Sequence, residues 1–398
     1  MVNVAILGYG TVGSGVAKVL TDNAAEIAGR VGEELNIKYV LDLRDFPGDP
    51  FEKVVVHDYE LIAADPEVSV VVEVMGGLHP AYEFTKRALE SGKSVCTSNK
   101  ELVAEKGAEL LKIAREHNAS YLFEASVGGG IPIIRPLVQA LTADKIEEVC
   151  GILNGTTNYI LTAMSEGGAD FDSVLAKAQE LGYAERNPEA DIEGHDACRK
   201  IAILASLVSG KQVDYKDILT EGITKITDED MKLAEAIGGS IKLLGVSRWK
   251  DGKVFARVSP FVVEKNHSLY AVNDVFNGIM VHGNMVGDVM FYGSGAGSLP
   301  TASAVVSDVV EIAKNIGSNI PITWSEDKQP VENPKAFTCR FLVQVKEGKQ
   351  AVADAFGQTD TVSESAEDGT VFLTENMTEA EYDQKVGALT VVRVLRTI

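Results

Sequence analysis

Residues 2–15 read VNVAILGYGTVGSG, an apolar run that breaks into Gly8-Tyr9-Gly10-Thr11-Val12-Gly13. Val2 to Leu7 read as a short strand. Three glycines at G-x-G-x-x-G spacing then allow a tight strand-to-helix turn and a close backbone approach to a pyrophosphate at the helix N-terminus. A structural glycine turn would leave the same letters, so the motif by itself is weak. Its position between a predicted strand and a predicted helix turns it into a dinucleotide-binding signal.

Reading outward, short β-branched runs recur at 54–57, 68–75, 94–98 and 120–126, separated by helical stretches. That rhythm implies a parallel sheet. The run VSVVVEVM (68–75) is apolar almost throughout, and KELVAEKGAELLKIAREHN (100–118) has apolar residues at helical spacing, acids early and basic residues late. From about residue 147 the pattern changes to a strand through CGILN, long helical segments to about 245, and an alternating strand KVFARVSPFVVEK. After Pro330 and Pro334, residues 335–398 read strand, helix, strand, strand, helix, strand. The expected fold class is α/β: an N-terminal doubly wound (Rossmann) parallel sheet, an α+β substrate domain and a small C-terminal βαββαβ module. The expected boundaries are 1–130, 131–294 and 335–398.

A chain of 398 residues exceeds what one core supports, so several domains are expected. Its net charge of −21 repels nucleic acid and anionic lipid, leaving a small metabolite as the natural partner. The N-terminal apolar run lacks a basic flank, and no apolar stretch reaches membrane-spanning length, so the cytoplasm is the expected compartment. Cys96, Cys150, Cys198 and Cys339 lie far apart without a C-x-x-C pair. They read as reduced, buried thiols, with a nucleophile as the alternative.

The second strand should end near LDLRD (41–45), where Asp42 would hold a ribose 2′-hydroxyl and Arg44 a 2′-phosphate. These favour NAD and NADP respectively; Arg44 tilts the reading towards NADP, and a solvated charge cluster is the plain alternative. The 29 positions from Gly13 to Asp42 exceed the usual spacing of about 20, so the intervening helix should carry an extension.

Acids crowd LGYAERNPEADIEGHDACRK (181–200) ahead of a strongly apolar helix. Asp196 and Lys200 share a helix face at i, i+4, beside a stripe of Ala197, Ile201, Leu204 and Val208. Desolvation lowers a lysine's pKa, and such a lysine can exchange a proton with an alcohol or carbonyl oxygen. The alternative is an ordinary surface ion pair. Lys100 follows a strand at the sheet edge where α/β folds bind ligands, and a lysine starting a helix opposes the dipole unless an anion answers it. Asn154-Gly155-Thr156-Thr157-Asn158 begins a helix and could dock a carboxylate or serve only as a cap.

Together the stretches GYGTVGSG, TSNKELVA, EASVGGGIPII, GILNGTTNYIL, LGYAERNPEADIEGHDACRK and GSGAGSLPTASAVVSDVV resemble the homoserine dehydrogenase family over about residues 1–320. The resemblance implies reversible hydride transfer between L-homoserine and NAD(P), giving L-aspartate 4-semialdehyde, in threonine and methionine biosynthesis. Gly8 and Tyr9 through Ser14 (Gly10, Thr11, Val12, Gly13) would hold the dinucleotide, with Gly76, Ser98, Lys100 and Gly297 lining the rest. Lys100 would touch both cofactor and substrate. Gly182, Glu185, Asp191 and Asp196 would surround homoserine, Thr156 would approach its carboxylate, and Lys200 would be the proton donor. A carboxylate set suits an ammonium, and a lysine suits a developing alkoxide. A monovalent cation, sodium or potassium, would sit at Glu124 and the main-chain oxygens of Val127, Gly129 and Ile131.

The same resemblance implies that a segment around 295–320 returns to complete the dinucleotide domain, and that residues 131–294 pair the chain into a homodimer or higher oligomer. Two departures stand out. Arg186-Asn187-Pro188 replaces an acid before the proline, and KEGKQAVADAFG is shorter than the loop and helix of the regulatory ACT modules the C-terminus resembles, without their D-x-P-G turn. That puts threonine binding there in question. A sensor that keeps the dinucleotide fold without turnover is the competing reading, opposed by the presence of Lys100, Lys200 and the acids.

Overall fold

The structure is a computed structural model describing residues 1–365 and 367–398. Its contacts divide the chain into two units, one of residues 1–145, 202–215 and 293–329, the other of 146–201, 216–292 and 330–398. Among the described residues no helix is long and apolar enough to cross a membrane.

The first unit holds a six-stranded sheet of β1 (Val2–Leu7), β2 (Leu35–Leu41), β3 (Val55–Val56), β4 (Val68–Glu73), β5 (Ser94–Thr97) and β6 (Tyr121–Leu122), ordered β3-β2-β1-β4-β5-β6. Every pairing is parallel, giving the doubly wound arrangement expected. Val4 and Ile6 of β1 and Val70 and Val72 of β4 are fully buried. They pack in one core with Val16 and Leu20 of the Thr11–Asp22 helix and Val305, Val309 and Ile312 of the Ser298–Lys314 helix. Each such side chain stabilises the fold by about 1.5–3 kcal/mol. Gly15 lets those helices meet: a Cβ there would lie 2.7 Å from Ser298 Oγ and 2.9 Å from its carbonyl oxygen.

The expected strand over 120–126 shrinks to Tyr121–Leu122. The Glu124 N–H donates to Asp308 Oδ2 at 2.8 Å instead of to a neighbouring strand, and Glu124–Ser126 form a 3-10 turn. A tertiary partner supplied from residue 308 ends the ladder, which local propensity does not register.

The second unit is built on a larger mixed sheet. Its strands run in the spatial order Gly287–Ser294, Phe276–Gly283, Ile146–Ile152, Gly239–Lys250, Lys253–Glu264, Val391–Thr397, Thr338–Val345, Gly369–Leu373 and Asp360–Ser365. The last four, with helices Lys349–Phe356 and Glu379–Val386, make the βαββαβ order read from the sequence. Val391–Thr397 also pairs parallel to Lys253–Glu264, so the module's sheet is continuous with its neighbour's. One core spans both: Ile152, Leu244, Val246 and Phe261 join Phe341, Val343, Phe356 and Phe372.

Candidate active site

In the first unit the phosphate loop is shaped by its glycines. Gly8 has φ +96°, outside the range L side chains favour, and its N–H reaches Leu41 O at 2.8 Å. A Cβ on Gly13 would sit 1.9 Å from Gly8 O, so that position admits only glycine. Above Gly10 the space is open, and the helix Thr11–Asp22 has neither a side-chain cap nor an acid in its first turn. An uncapped N-terminus over a glycine cradle is what a pyrophosphate requires, so these residues fit a dinucleotide. The Ser14 hydroxyl turns back onto Gly10 O at 2.8 Å, and the Tyr9 ring packs edge-on against Phe46.

Asp42 and Arg44 are partners. The Asp42 carboxylate accepts the Tyr9 N–H at 2.8 Å, the Arg44 N–H at 3.0 Å and Arg44 Nε at 2.9 Å. Arg44 holds the Asp42 carboxyl well below the usual carboxylate range. The Arg44 side chain remains 62% exposed and lies over the Phe46 ring.

Glu73, at the end of β4, was not singled out in the sequence. It is completely buried and accepts from Thr97 Oγ1 at 2.6 Å and the Met75 N–H at 2.8 Å. Thr97 Oγ1 in turn accepts the Asn99 N–H, while Asn99 donates to Gly77 O at 2.6 Å and caps the helix that starts at Lys100. One carboxylate thus ties the Gly76 loop, where φ is +80°, to the Ser98–Lys100 turn. Burial pushes its carboxyl up despite those donors. The signal was there: a lone acid inside VSVVVEVM.

At EASVGGGI, both Glu124 carboxylate oxygens are committed: Oε1 accepts the Ile133 and Ile134 N–H groups at 2.6 and 2.7 Å, and Oε2 that of Arg135 at 2.8 Å. A cation there would take main-chain oxygens. Gly129, at φ +58°, packs so tightly that a Cβ would meet Gly295 O at 2.2 Å; Val127 and Ile131 are buried. Gly297 (φ +117°) precedes the Ser298–Lys314 helix, whose Ser298 hydroxyl donates to Thr11 O at 2.7 Å.

In the second unit, Asn154, Asp191, Asp196 and Lys200 converge. Lys200 Nζ donates to Asp196 Oδ2 and Leu153 O, each at 2.7 Å, and Asn154 Nδ2 donates to Asp191 Oδ1 at 2.7 Å and Asp196 Oδ2 at 2.9 Å. Lys200 is 7% exposed and Asp196 2%. The surface-pair reading therefore fails, and for a stronger reason than a buried stripe: Ile201 to Leu207 are buried in succession, so the helix His195–Ser209 is enclosed all round through its middle. Gly245 sets its depth, since a Cβ there would come within 3.2 Å of Ile201 Cβ.

Asn154 does more than cap. Its Oδ1 accepts the Thr157 N–H at 2.9 Å, while its amide nitrogen holds the two acids. The sequence showed only the cap, because the acids arrive from 37 and 42 residues away. The Thr156 hydroxyl donates to Tyr183 O at 2.6 Å. Gly182 has φ +77° with open space beside it, and Glu185 is exposed. All four cysteines are buried, and burial pushes the Cys96, Cys150 and Cys339 thiols up, which suits none of those three to nucleophilic work.

A family model for homoserine dehydrogenase matches residues 132–310, and one for the homoserine dehydrogenase NAD binding domain matches residues 8–124. A curated homoserine dehydrogenase from Bacillus subtilis (strain 168) is 44% identical over 79% of this chain and 73% of the relative. One from Mycobacterium tuberculosis (strain ATCC 25618 / H37Rv) is 42% identical over 98% and 90%. A solved homoserine dehydrogenase from Thiobacillus denitrificans has TM-score 0.89 and 33% identity, covering 100% of this chain and 98% of that one. A hyperthermophilic archaeal homoserine dehydrogenase solved in complex with NADPH has TM-score 0.67 and 28% identity, covering 81% and 99%.

A doubly wound sheet with an open glycine cradle in one unit, and a lysine and acid cluster in the other, define a nicotinamide-dependent oxidoreductase acting on a CH–OH group. The chain belongs to the homoserine dehydrogenase family.

Proposed function

We propose that this chain interconverts L-homoserine and L-aspartate 4-semialdehyde with Lys200 exchanging the proton at the substrate's C4 oxygen. The observation that carries this is the buried Lys200–Asp196 pair, an amino group hydrogen-bonded to a carboxylate in a cluster that also includes Asp191. In the reducing direction Lys200 donates to the semialdehyde oxygen as negative charge develops there; in the oxidising direction it accepts the alcohol proton. The nicotinamide supplies the hydride chemistry. Asp191 and Asp196 answer the substrate ammonium, with Glu185 and Gly182 at the exposed end. Thr156, at the first turn of the Gly155–Gly167 helix, lies where the helix dipole favours the substrate carboxylate.

Gly8 through Ser14, Gly76, Ser98, Lys100 and Gly297 hold the cofactor, with Lys100 reaching the substrate too. NADP is the preferred form, supported by the exposed Arg44 guanidinium that Asp42 anchors. A monovalent cation braces the loop through the main-chain oxygens of Val127, Gly129 and Ile131, with the Glu124 carboxylate holding the backbone that follows them. The chain works in the cytoplasm as a homodimer; Met290 and Tyr292, exposed on the edge strand Gly287–Ser294, support self-association.

Purified protein with L-homoserine and either NAD or NADP, followed at the nicotinamide absorbance band beside Lys200→Ala, tests the reading. Reduction by the parent and loss of most of the rate in the variant are expected. If neither cofactor is reduced with homoserine and neither reduced cofactor is oxidised with the semialdehyde, with sodium or potassium present, while NADP still binds, the chain is a sensor instead.

A further inference from the structure

Four charged side chains form a closed ring inside the second unit, and no part of the site described above uses them. Arg257 is completely buried and donates to Glu379 Oε1 at 2.5 Å and Glu221 Oε2 at 3.3 Å. Arg396 donates to the same two acids, reaching Glu379 Oε1 at 2.5 Å and Glu221 Oε2 at 2.6 Å. Glu379 and Arg396 come from the C-terminal module, Glu221 and Arg257 from the neighbouring part of the sheet. Each acid is gripped by both guanidiniums, so the ring fixes Glu221 far more tightly than a surface pair would.

Glu221 leads directly to the acid cluster. Its neighbour Gly222 lies flush on the 188–194 turn, where a Cβ would come within 2.3 Å of Ile192 O. The Ile223 N–H donates to Ile192 O at 2.8 Å, and Thr224 Oγ1 donates to Glu193 Oε1 at 3.0 Å. Gly194 closes the turn with its N–H on Asp191 O at 2.9 Å and packs against Thr220 and Val258. The turn held in this way carries Asp191, which Asn154 links to Asp196 and Lys200.

We propose that Glu379 and Arg396 are positioning residues for the substrate: the C-terminal module clamps Glu221, and the 221–224 segment passes that constraint to the turn bearing Asp191. The module then acts as a fixed strut of the homoserine site. This rests on the assignment of Asp191 to substrate binding. A charge ring and a continuous backbone contact give the constraint a physical path, because each link is packed or hydrogen-bonded to the next.

The test uses the full chain and reads KM for homoserine, KM for NADP, kcat and the thermal midpoint in Glu379→Gln, Thr224→Val and the double variant. Expected is a rise in homoserine KM of roughly threefold to thirtyfold in each single variant, the range such packed coupling spans, with the NADP KM unchanged. The double variant should rise no further than the larger single, because both cut one path. A homoserine KM within twofold of the parent in Thr224→Val, or strictly multiplicative effects in the double variant, overturns the relay. Thr224→Val exchanges only a hydroxyl for a methyl, breaking the bond to Glu193, so it reads the relay even if Glu379→Gln does not fold. Asp191→Asn separates the two levels: if it leaves homoserine KM unchanged, the site assignment fails; if it raises KM while Thr224→Val does not, the relay alone fails.

Discussion

Lys200 Nζ and Asp196 Oδ2 lie 2.7 Å apart on one helix, and their side chains are only 9% and 3% exposed. Spacing at i, i+4 ordinarily describes a solvated pair contributing about 0.3–0.5 kcal/mol. Enclosure changes its nature: removing one partner strands a charge the interior cannot hydrate, at about 3–5 kcal/mol.

Lys200→Met should therefore lose activity and stability together. Turnover is expected to fall by about 10²- to 10⁴-fold, the usual contribution of a positioned acid or base. Stability should recover in part in the Lys200→Met/Asp196→Asn double variant while turnover does not. Denaturant melts beside steady-state rates check this, and a double variant as unstable as the single would contradict the burial argument.

Arg44→Ala should change cofactor choice more than rate. Loss of a charge-assisted hydrogen bond to a 2′-phosphate, worth about 1.5–3 kcal/mol, corresponds to roughly a ten- to hundredfold rise in NADP KM. The NAD KM should move little. Equal changes for both would show that Arg44 only anchors Asp42 and the Tyr9 N–H.

Gly13→Ala places a methyl 1.9 Å from a backbone oxygen, so the turn must open. Cofactor affinity should fall at least tenfold, because the helix N-terminus no longer faces the pyrophosphate. Gly10→Ala, with nothing within 4 Å of the added carbon, should leave the loop's folding intact. Dichroism and cofactor titration on the pair separate a folding effect from a binding one.

Asp308 gives a pH dependence with a definite sign. Complete burial, and then the neighbouring Glu124 carboxylate, push its carboxyl up to about 8 against the pull of Arg135. Between the ordinary value of about 3.9 and that value, the folded chain holds a proton that the unfolded chain has released. The resulting stability is full below pH ~4 and is lost as pH rises through ~8. Asp308→Asn has no such proton, so the difference in denaturation midpoint between parent and variant should shift against the parent from pH 5 to pH 8. A constant difference would mean that Arg135, 2.6 Å from Asp308 Oδ1, keeps it ionised throughout.

The readable parts of the fold were local. Val2–Leu7, the glycine turn and the Lys100–Glu116 helix carry their periods within a dozen or so residues, and all three form as read. The 120–126 strand did not, because Asp308 takes the Glu124 N–H. Glu73 passed unnoticed for a similar reason: its partners Thr97 and, through it, Asn99 lie on the next strand and turn.

The sequence alone determined the order of elements, the glycine cradle and the kinds of side chain available for hydride-transfer chemistry. These follow from steric and periodic rules that act over a few residues. Tertiary structure decided which acids meet Lys200, that Asn154 holds Asp191 and Asp196 together, and that the helix is enclosed through its middle, from Ile201 to Leu207. Those facts depend on contacts between segments dozens of residues apart, where packing and desolvation fix the partner and local pattern carries no record of it.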